Sequence, residues 1–182
     1  MTDRELLIQL LKAKSVRYGE FTLASGRVSD LYIDARLTTM SPEGLALIGP
    51  LALATIRKME WNADSIGGLT LGADPIAYAA SYASFETPPH LRAFTVRKEP
   101  KQHGTRRLIE GPFAEGDRVV VVEDVVTSGN SALKAIDAVR AAGGVVVGVM
   151  AVVDRREGGT EKLKDAGFNL VSLVEGDELR AR

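Results

Sequence analysis

Val119–Ser131 reads V-V-V-V-E-D-V-V-T-S-G-N-S. Four valines end in two adjacent carboxylates, two more valines follow, and a turn rich in hydroxyl, amide and glycine leads into a segment of helical apolar period. A continuous run of β-branched apolar residues bounded by polar ones reads as a strand buried on both faces, the kind found in a parallel sheet. Thr127-Ser128-Gly129-Asn130-Ser131 then offers backbone N–H groups and hydroxyls at a helix N-terminus, which suits a phosphate. Glu123 and Asp124 would repel a bare phosphate, but they can accept hydrogen bonds from sugar hydroxyls or hold a cation. A strand capped in the ordinary way by Thr127 or Ser131 would explain the turn and not the two carboxylates. Phosphate donors beside a carboxylate pair describe a site for a phosphorylated sugar.

Working outward, strand-like and helix-like segments alternate. Thr2–Lys14 is predicted helical, with Thr2 or Asp3 at its cap. Arg17–Arg36 carries two short strands around a Ser25-Gly26 turn. Ser41-Pro42-Glu43 opens a helix with proline in its first turn, running to Met59. Ser65–Leu71 is a glycine-rich strand, and Asp74-Pro75 starts a helix to about Phe85. Ala93–Arg97, Val119–Asp124 and Val145–Asp154 are further strands, with a helix to about Ala142 between the last two. This alternation predicts an α/β fold with a central parallel sheet covered by helices on both faces. Ligands of such sheets bind beyond the carboxyl ends of the strands, where Arg97-Lys98, Glu123-Asp124 and Asp154-Arg155 all fall.

Composition narrows the field. The 182 residues suit one domain with a full core, and 45% hydrophobic with 26% charged residues is ordinary for a water-soluble chain. A net charge of −1 argues against nucleic-acid binding by overall positive charge. Zero cysteines exclude disulfides and thiol nucleophiles, and fit a cytoplasmic setting. The charged, leucine-rich start reads as an amphipathic helix and not as a signal peptide or membrane span. The sequence G-x-x-x-x-G-K-[ST] is missing, and Gly143-Gly144 with Gly148 does not make G-x-G-x-x-G, so neither a P-loop nor a dinucleotide fingerprint is present.

Val119–Ser131 resembles, over its whole length, the 5-phosphoribosyl-1-pyrophosphate (PRPP) signature of the type I phosphoribosyltransferases. The resemblance implies that fold, with a small N-terminal hood, and PRPP binding by Glu123, Asp124, Val125, Val126, Thr127, Ser128, Gly129, Asn130 and Ser131. A second stretch, Thr95–Arg107, gathers Arg97, Lys98, Lys101, His103, Arg106 and Arg107 behind a strand, broken by Pro100 and Gly104. Alone it reads equally as a solvated basic loop. It resembles the R-K-x-x-K-x-H loop of the orotate phosphoribosyltransferases, which implies that Arg97, Lys98, Lys101 and His103 meet the pyrophosphate. It also implies a homodimer in which Lys101 and His103 enter the neighbour's site. Preplaced cations favour a departing polyanion, and Glu99–Glu110 is expected to be a mobile lid that excludes water.

Phe21–Asp34, read F-T-L-A-S-G-R-V-S-D-L-Y-I-D, resembles the F-x-L-x-S-G-x-x-S-x-x-Y hood of the same family. Arg155 matches its orotate-binding arginine, and the resemblance assigns the base to Phe21, Thr22, Thr127 and Arg155. A guanidinium fork suits the planar orotate anion. What is implied is a Mg²⁺-dependent pentosyltransferase of pyrimidine synthesis, acting from one domain over 1–182. Its hood comprises about 15–40 plus the C-terminal segment, and Lys101, His103 and Asp124 serve as catalytic residues. The metal would be held mainly by PRPP, with Glu123 and Asp124 nearby and no dedicated protein ligand set. Other forms of the family carry lysine where this chain has Ala24, and lysine in the loop Gly67–Asp74, which would here rely on backbone N–H groups and Thr70. Glu123-Asp124 stands where many relatives have Asp-Asp. A purine phosphoribosyltransferase would share Glu123–Ser131 and has no use for the hood followed by Asp154-Arg155. A PRPP-sensing regulator would need a basic nucleic-acid surface.

Overall fold

A computed structural model describes residues 1–22, 28–99 and 108–180 of the chain. In order, the elements are α1 (Asp3–Lys14), β1 (Val16–Thr22), β2 (Val28–Ile33), α2 (Arg36–Thr39), α3 (Pro42–Lys58), β3 (Ser65–Leu69), α4 (Ala73–Ala83) and β4 (Arg92–Val96). There follow β5 (Ile109–Glu110), β6 (Arg118–Val126), α5 (Asn130–Ala141), β7 (Val145–Asp154), α6 (Gly159–Asp165), β8 (Leu170–Glu175) and a 3-10 turn at Gly176–Leu179.

Local chemistry sets the helix starts. The Thr2 hydroxyl accepts from Glu5 N–H at 3.2 Å while the Glu5 carboxylate accepts from Thr2 N–H at 2.7 Å, a reciprocal cap for α1. Ser41 Oγ accepts from Gly44 N–H at 3.1 Å, with Pro42 opening α3.

The main sheet runs β5-β4-β3-β6-β7-β8, parallel throughout except for the antiparallel edge pair β4–β5. The valine run of β6 lies in its middle, and successive residues divide between its two faces. Val120 and Val122 pack with Ile48, Ile66, Ile76 and Ala77 under α3 and α4. Val119 and Val121 pack with Ile136, Val139 and Leu163 under α5 and α6. All four valines are almost fully buried, which is why the run shows no polar alternation.

Three features differ from the sequence-based expectation. β6 continues to Val126, pairing Val125 and Val126 with Val153 and Asp154, because parallel neighbours keep the backbone extended past the carboxylates. The sheet gains β8, a strand beyond those the sequence pattern predicts. The segment expected as a lid is pinned at its far end: Ile109 and Glu110 pair with β4, and Arg97 N–H donates to Leu108 O at 2.8 Å.

β1 and β2 form a separate antiparallel hairpin with an irregularity between Tyr18 and Phe21, and residues 23–27 of its turn lie outside the described residues. The C-terminal segment ties to this hairpin. Tyr18 Oη donates to Leu179 O at 2.8 Å, and Arg180 pairs with Asp30 at 2.5 Å. Among the described residues no helix is long and apolar enough to cross a membrane.

Candidate active site

The two carboxylates of β6 face different neighbours. Glu123 turns toward the start of α5, where it accepts hydrogen bonds from the Ser131 hydroxyl and the Ala132 N–H. Asp124 turns toward the loop between β3 and α4. A Cβ placed on Gly72 would lie 2.4 Å from Asp124 Oδ1, so only glycine lets that loop pass so close to the carboxylate.

Burial pushes the Glu123 carboxyl up to about 7; the Ser131 hydrogen bond works against this, and the Asp124 charge adds to it. Glu123 Oε2 is buried and has no hydrogen-bond partner among the described residues. Burial also raises Asp124. Its Oδ1 accepts from Val125 N–H at 2.9 Å, and the nearby charge of Arg36 favours the ionised form.

The phosphate turn is built by glycine. Gly129, at φ 74°, is the N-cap of α5 and supplies no side-chain cap, so neither Thr127 nor Ser131 acts as the ordinary helix cap. The first-turn N–H groups are left to Glu123, through Ala132, and to whatever anion enters. The turn rests on Gly159, the first residue of α6. A Cβ there would meet Val126 Cγ1 at 2.6 Å, Thr127 O at 2.7 Å and Gly129 N at 3.0 Å. Asp154, almost fully buried, holds that support by accepting from Thr160 Oγ1 at 2.6 Å and Arg156 N–H at 2.8 Å. Lys162 Nζ donates to Asn130 Oδ1 at 2.5 Å.

The loop after β3 is fixed from below. Asp74 accepts from Thr70 Oγ1 at 2.6 Å and Thr95 Oγ1 at 2.9 Å, and Thr70 N–H donates to Val96 O at 2.8 Å. The peptide bond Thr70–Leu71 is cis. The Thr70 hydroxyl proton, expected to face a ligand, is therefore committed to Asp74.

Arg155 follows β7 directly. Its N–H donates to Val126 O at 3.0 Å, and its guanidinium, 7% exposed, pairs with Glu157 at 2.7 Å and donates to Leu31 O at 3.2 Å. It thus joins the sheet edge to the hairpin that carries Phe21, whose ring centroid lies 5.5 Å from that of Tyr32. Arg97 and Lys98 follow β4 directly. They line a cavity of about 340 Å³ with Leu69, Leu108, Lys134 and Asp137 against the middle of α5, and Arg97 pairs with Glu110 at 3.7 Å.

Glu123 and Asp124 lie near the carboxyl end of β6, Thr127–Ser131 and Arg155 just beyond the ends of β6 and β7, and Arg97 and Lys98 just beyond the end of β4 on the same edge of the sheet. Lys101 and His103 lie outside the described residues, as does the side chain of Thr22. Sequence reasoning missed Arg36 and Gly159, and gave Asp34 and Gly72 no role of their own within the stretches it singled out. Arg36 stands two positions beyond the hood motif, and the glycines reveal themselves only by what a Cβ would strike. A buried carboxylate pair between an anion-ready helix start and a glycine-lined loop can hold a cationic sugar between two phosphate-bearing ends.

The family model for the phosphoribosyl transferase domain matches residues 41–174. The chain is 48% identical over 182 residues to the orotate phosphoribosyltransferase of Aquifex aeolicus (strain VF5), covering 98% of each. It is similar in structure to Mycobacterium tuberculosis H37Rv orotate phosphoribosyltransferase in complex with Fe(III) dicitrate, with a TM-score of 0.87 and 44% identity over 99% of this chain and 100% of that one. The complex of that enzyme with PRPP gives a TM-score of 0.81 at 40% identity, covering 98% and 99%.

Proposed function

This chain belongs to the orotate phosphoribosyltransferase family, and from that premise we propose how its residues carry out the transfer of phosphoribose from PRPP to orotate. A ring nitrogen of anionic orotate forms a bond to the anomeric carbon, the bond to pyrophosphate breaks, and orotidine 5′-monophosphate and pyrophosphate result. The product feeds pyrimidine nucleotide synthesis. The transition state places a positively charged, oxocarbenium-like ribose between two anions. The attacking ring nitrogen gives up its proton as the bond forms and little further proton transfer is required, so positioning and electrostatics supply most of the acceleration.

The observation that carries the assignment of roles is the placement of Asp124 between the Gly72 loop and the glycine-capped start of α5. In this reading the backbone of Thr127–Ser131 holds the 5′-phosphate. Asp124 faces the ribose hydroxyls and its developing charge. Glu123 fixes the start of α5 and presents Oε2 toward the same end of the strand. Phe21 covers the base, while Arg155, already aimed beneath the hairpin, reads the orotate edge with Thr22 and Thr127. Arg97, Lys98, Lys101 and His103 meet the pyrophosphate.

The Asp124 carboxylate, with Glu123 beside it in the strand, suits a Mg²⁺ ion held mostly by substrate oxygens and water. Among the described residues no cluster of three or more acidic or histidine side chains forms a cage for it. When bound, the ion would neutralise pyrophosphate charge. The chain is further read as one phosphoribosyltransferase domain, 1–182, with the β1–β2 hairpin and C-terminal segment as its hood. It would work as a cytoplasmic homodimer with shared active sites.

The test is the loss of orotate ultraviolet absorbance with PRPP and Mg²⁺, with adenine, hypoxanthine, xanthine and uracil as parallel acceptors. Mg²⁺-dependent turnover of orotate alone is expected. Turnover of another base would overturn the roles given to Phe21 and Arg155.

A further inference from the structure

The loop Thr70–Gly72 passes within contact of Asp124 yet carries no cation, and its one hydroxyl proton is used on Asp74. A pyrophosphate beside it would gather several negative charges against backbone N–H groups alone. Arg36 lies next to this loop. With Asp34, Leu37, Met40, Ser41 and Leu71 it lines an open cavity of about 490 Å³.

Its guanidinium is gripped along one edge only: Nε donates to Asp34 Oδ1 at 2.9 Å and Nη2 to Asp34 Oδ2 at 3.1 Å. Nη1 has no partner among the described residues, and the side chain is half exposed. A carboxylate that occupies one edge of the fork fixes where the other points, and the planar group keeps donors free for a second oxyanion. The Asp124 carboxylate lies against Gly72, next in the chain to the Leu71 that lines this cavity with Arg36, and the Arg36 charge is felt at Asp124.

We propose that Arg36, oriented by Asp34 across the cavity beside Leu71, is a pyrophosphate-binding residue that supplies the cation missing from the Thr70–Gly72 loop and from Ala24. The proposal rests on the reaction assigned above. A purely local role is the competing account: Arg36 sits in the first turn of α2, and an exposed pair with Asp34 contributes about 0–1 kcal/mol to folding.

The two accounts separate on ligands that differ only in pyrophosphate. With the full chain and Mg²⁺, calorimetric titrations of inorganic pyrophosphate and of orotidine 5′-monophosphate are compared for the parent, Arg36→Gln and Arg36→Lys, alongside KM for PRPP. Arg36→Gln is expected to weaken pyrophosphate and raise the PRPP KM by roughly 10–100-fold, the worth of one charge-assisted contact, with orotidine 5′-monophosphate held within about twofold. Arg36→Lys recovers part of the loss, since it keeps the charge and loses the fork. Pyrophosphate affinity unchanged in Arg36→Gln would overturn the proposal, as would equal losses for both ligands. A parent that binds pyrophosphate but turns over no orotate would overturn the reaction instead, and the Arg36→Gln titration would still decide the residue's role.

Discussion

Asp124 and Glu123 are neighbours in sequence, but strand geometry sends one toward the Gly72 loop and the other toward α5, and their chemistry divides accordingly. In the proposed mechanism Asp124 stabilises positive charge on the sugar. Asp124→Asn is expected to lower kcat on the order of 10²–10³-fold with the fold intact, by analogy with other electrostatic stabilisers. Steady-state kinetics beside circular dichroism checks this, and full turnover would remove Asp124 from the mechanism. Glu123 makes a pH prediction. Its carboxyl is raised from 4.5 to about 7, so between those values the folded chain keeps a proton that the unfolded chain has released. Stability contributed by this group therefore falls as pH rises through that window and is lowest above pH 7. Glu123→Gln, which cannot ionise, is expected to exceed the parent by about 1–3 kcal/mol at pH 8. The difference should close as pH approaches 4.5. Urea denaturation across that range measures it, and a pH-independent difference would place the effect in packing.

At the scale of elements, the site is the seam where the end of β6, the start of α5 and the start of α6 meet. Gly159 sets the spacing of that seam. Gly159→Ala must push a methyl group into Val126, Thr127 and Gly129, all under or at the phosphate turn. A cost of about 1–3 kcal/mol is expected from overpacking, with a PRPP KM higher by roughly tenfold. Thermal denaturation and kinetics together test it, and an unchanged KM would show that α6 does not support the turn. The β6 strand and α5 were legible in the sequence because a buried parallel strand and an amphipathic helix each carry their own periodicity. The edge strand β5 was not, since two residues have no period. Its pairing depends on β4 lying open at the sheet edge.

For the whole molecule, the reading of a homodimer with shared sites makes a mixing experiment decisive. Lys101→Ala and Asp124→Asn chains, each nearly inactive alone, should regain activity when unfolded and refolded together. A mixed dimer would hold one site with Asp124 from one subunit and Lys101 from the other. Absence of recovery, with dimers present by sedimentation, would place Lys101 in its own subunit's site. The monomer already joins its ends across the hairpin: Arg4 pairs with Glu178 at 2.6 Å and Arg180 with Asp30 at 2.5 Å, so N- and C-terminal segments brace the β1–β2 unit that carries Phe21.

The sequence by itself determined the layered α/β architecture, the strand that bears the site and the nature of its ligand. Each of these follows from periodicity or from a run of side chains whose chemistry is local. Only the tertiary structure decided that Glu123 and Asp124 turn toward opposite sides of the sheet, that Arg97 and Lys98 line a cavity against α5, and that Arg36 and Gly159 border the site. Those facts depend on distances between segments far apart in the chain, and close packing across such distances is set by the whole core and not by any one stretch.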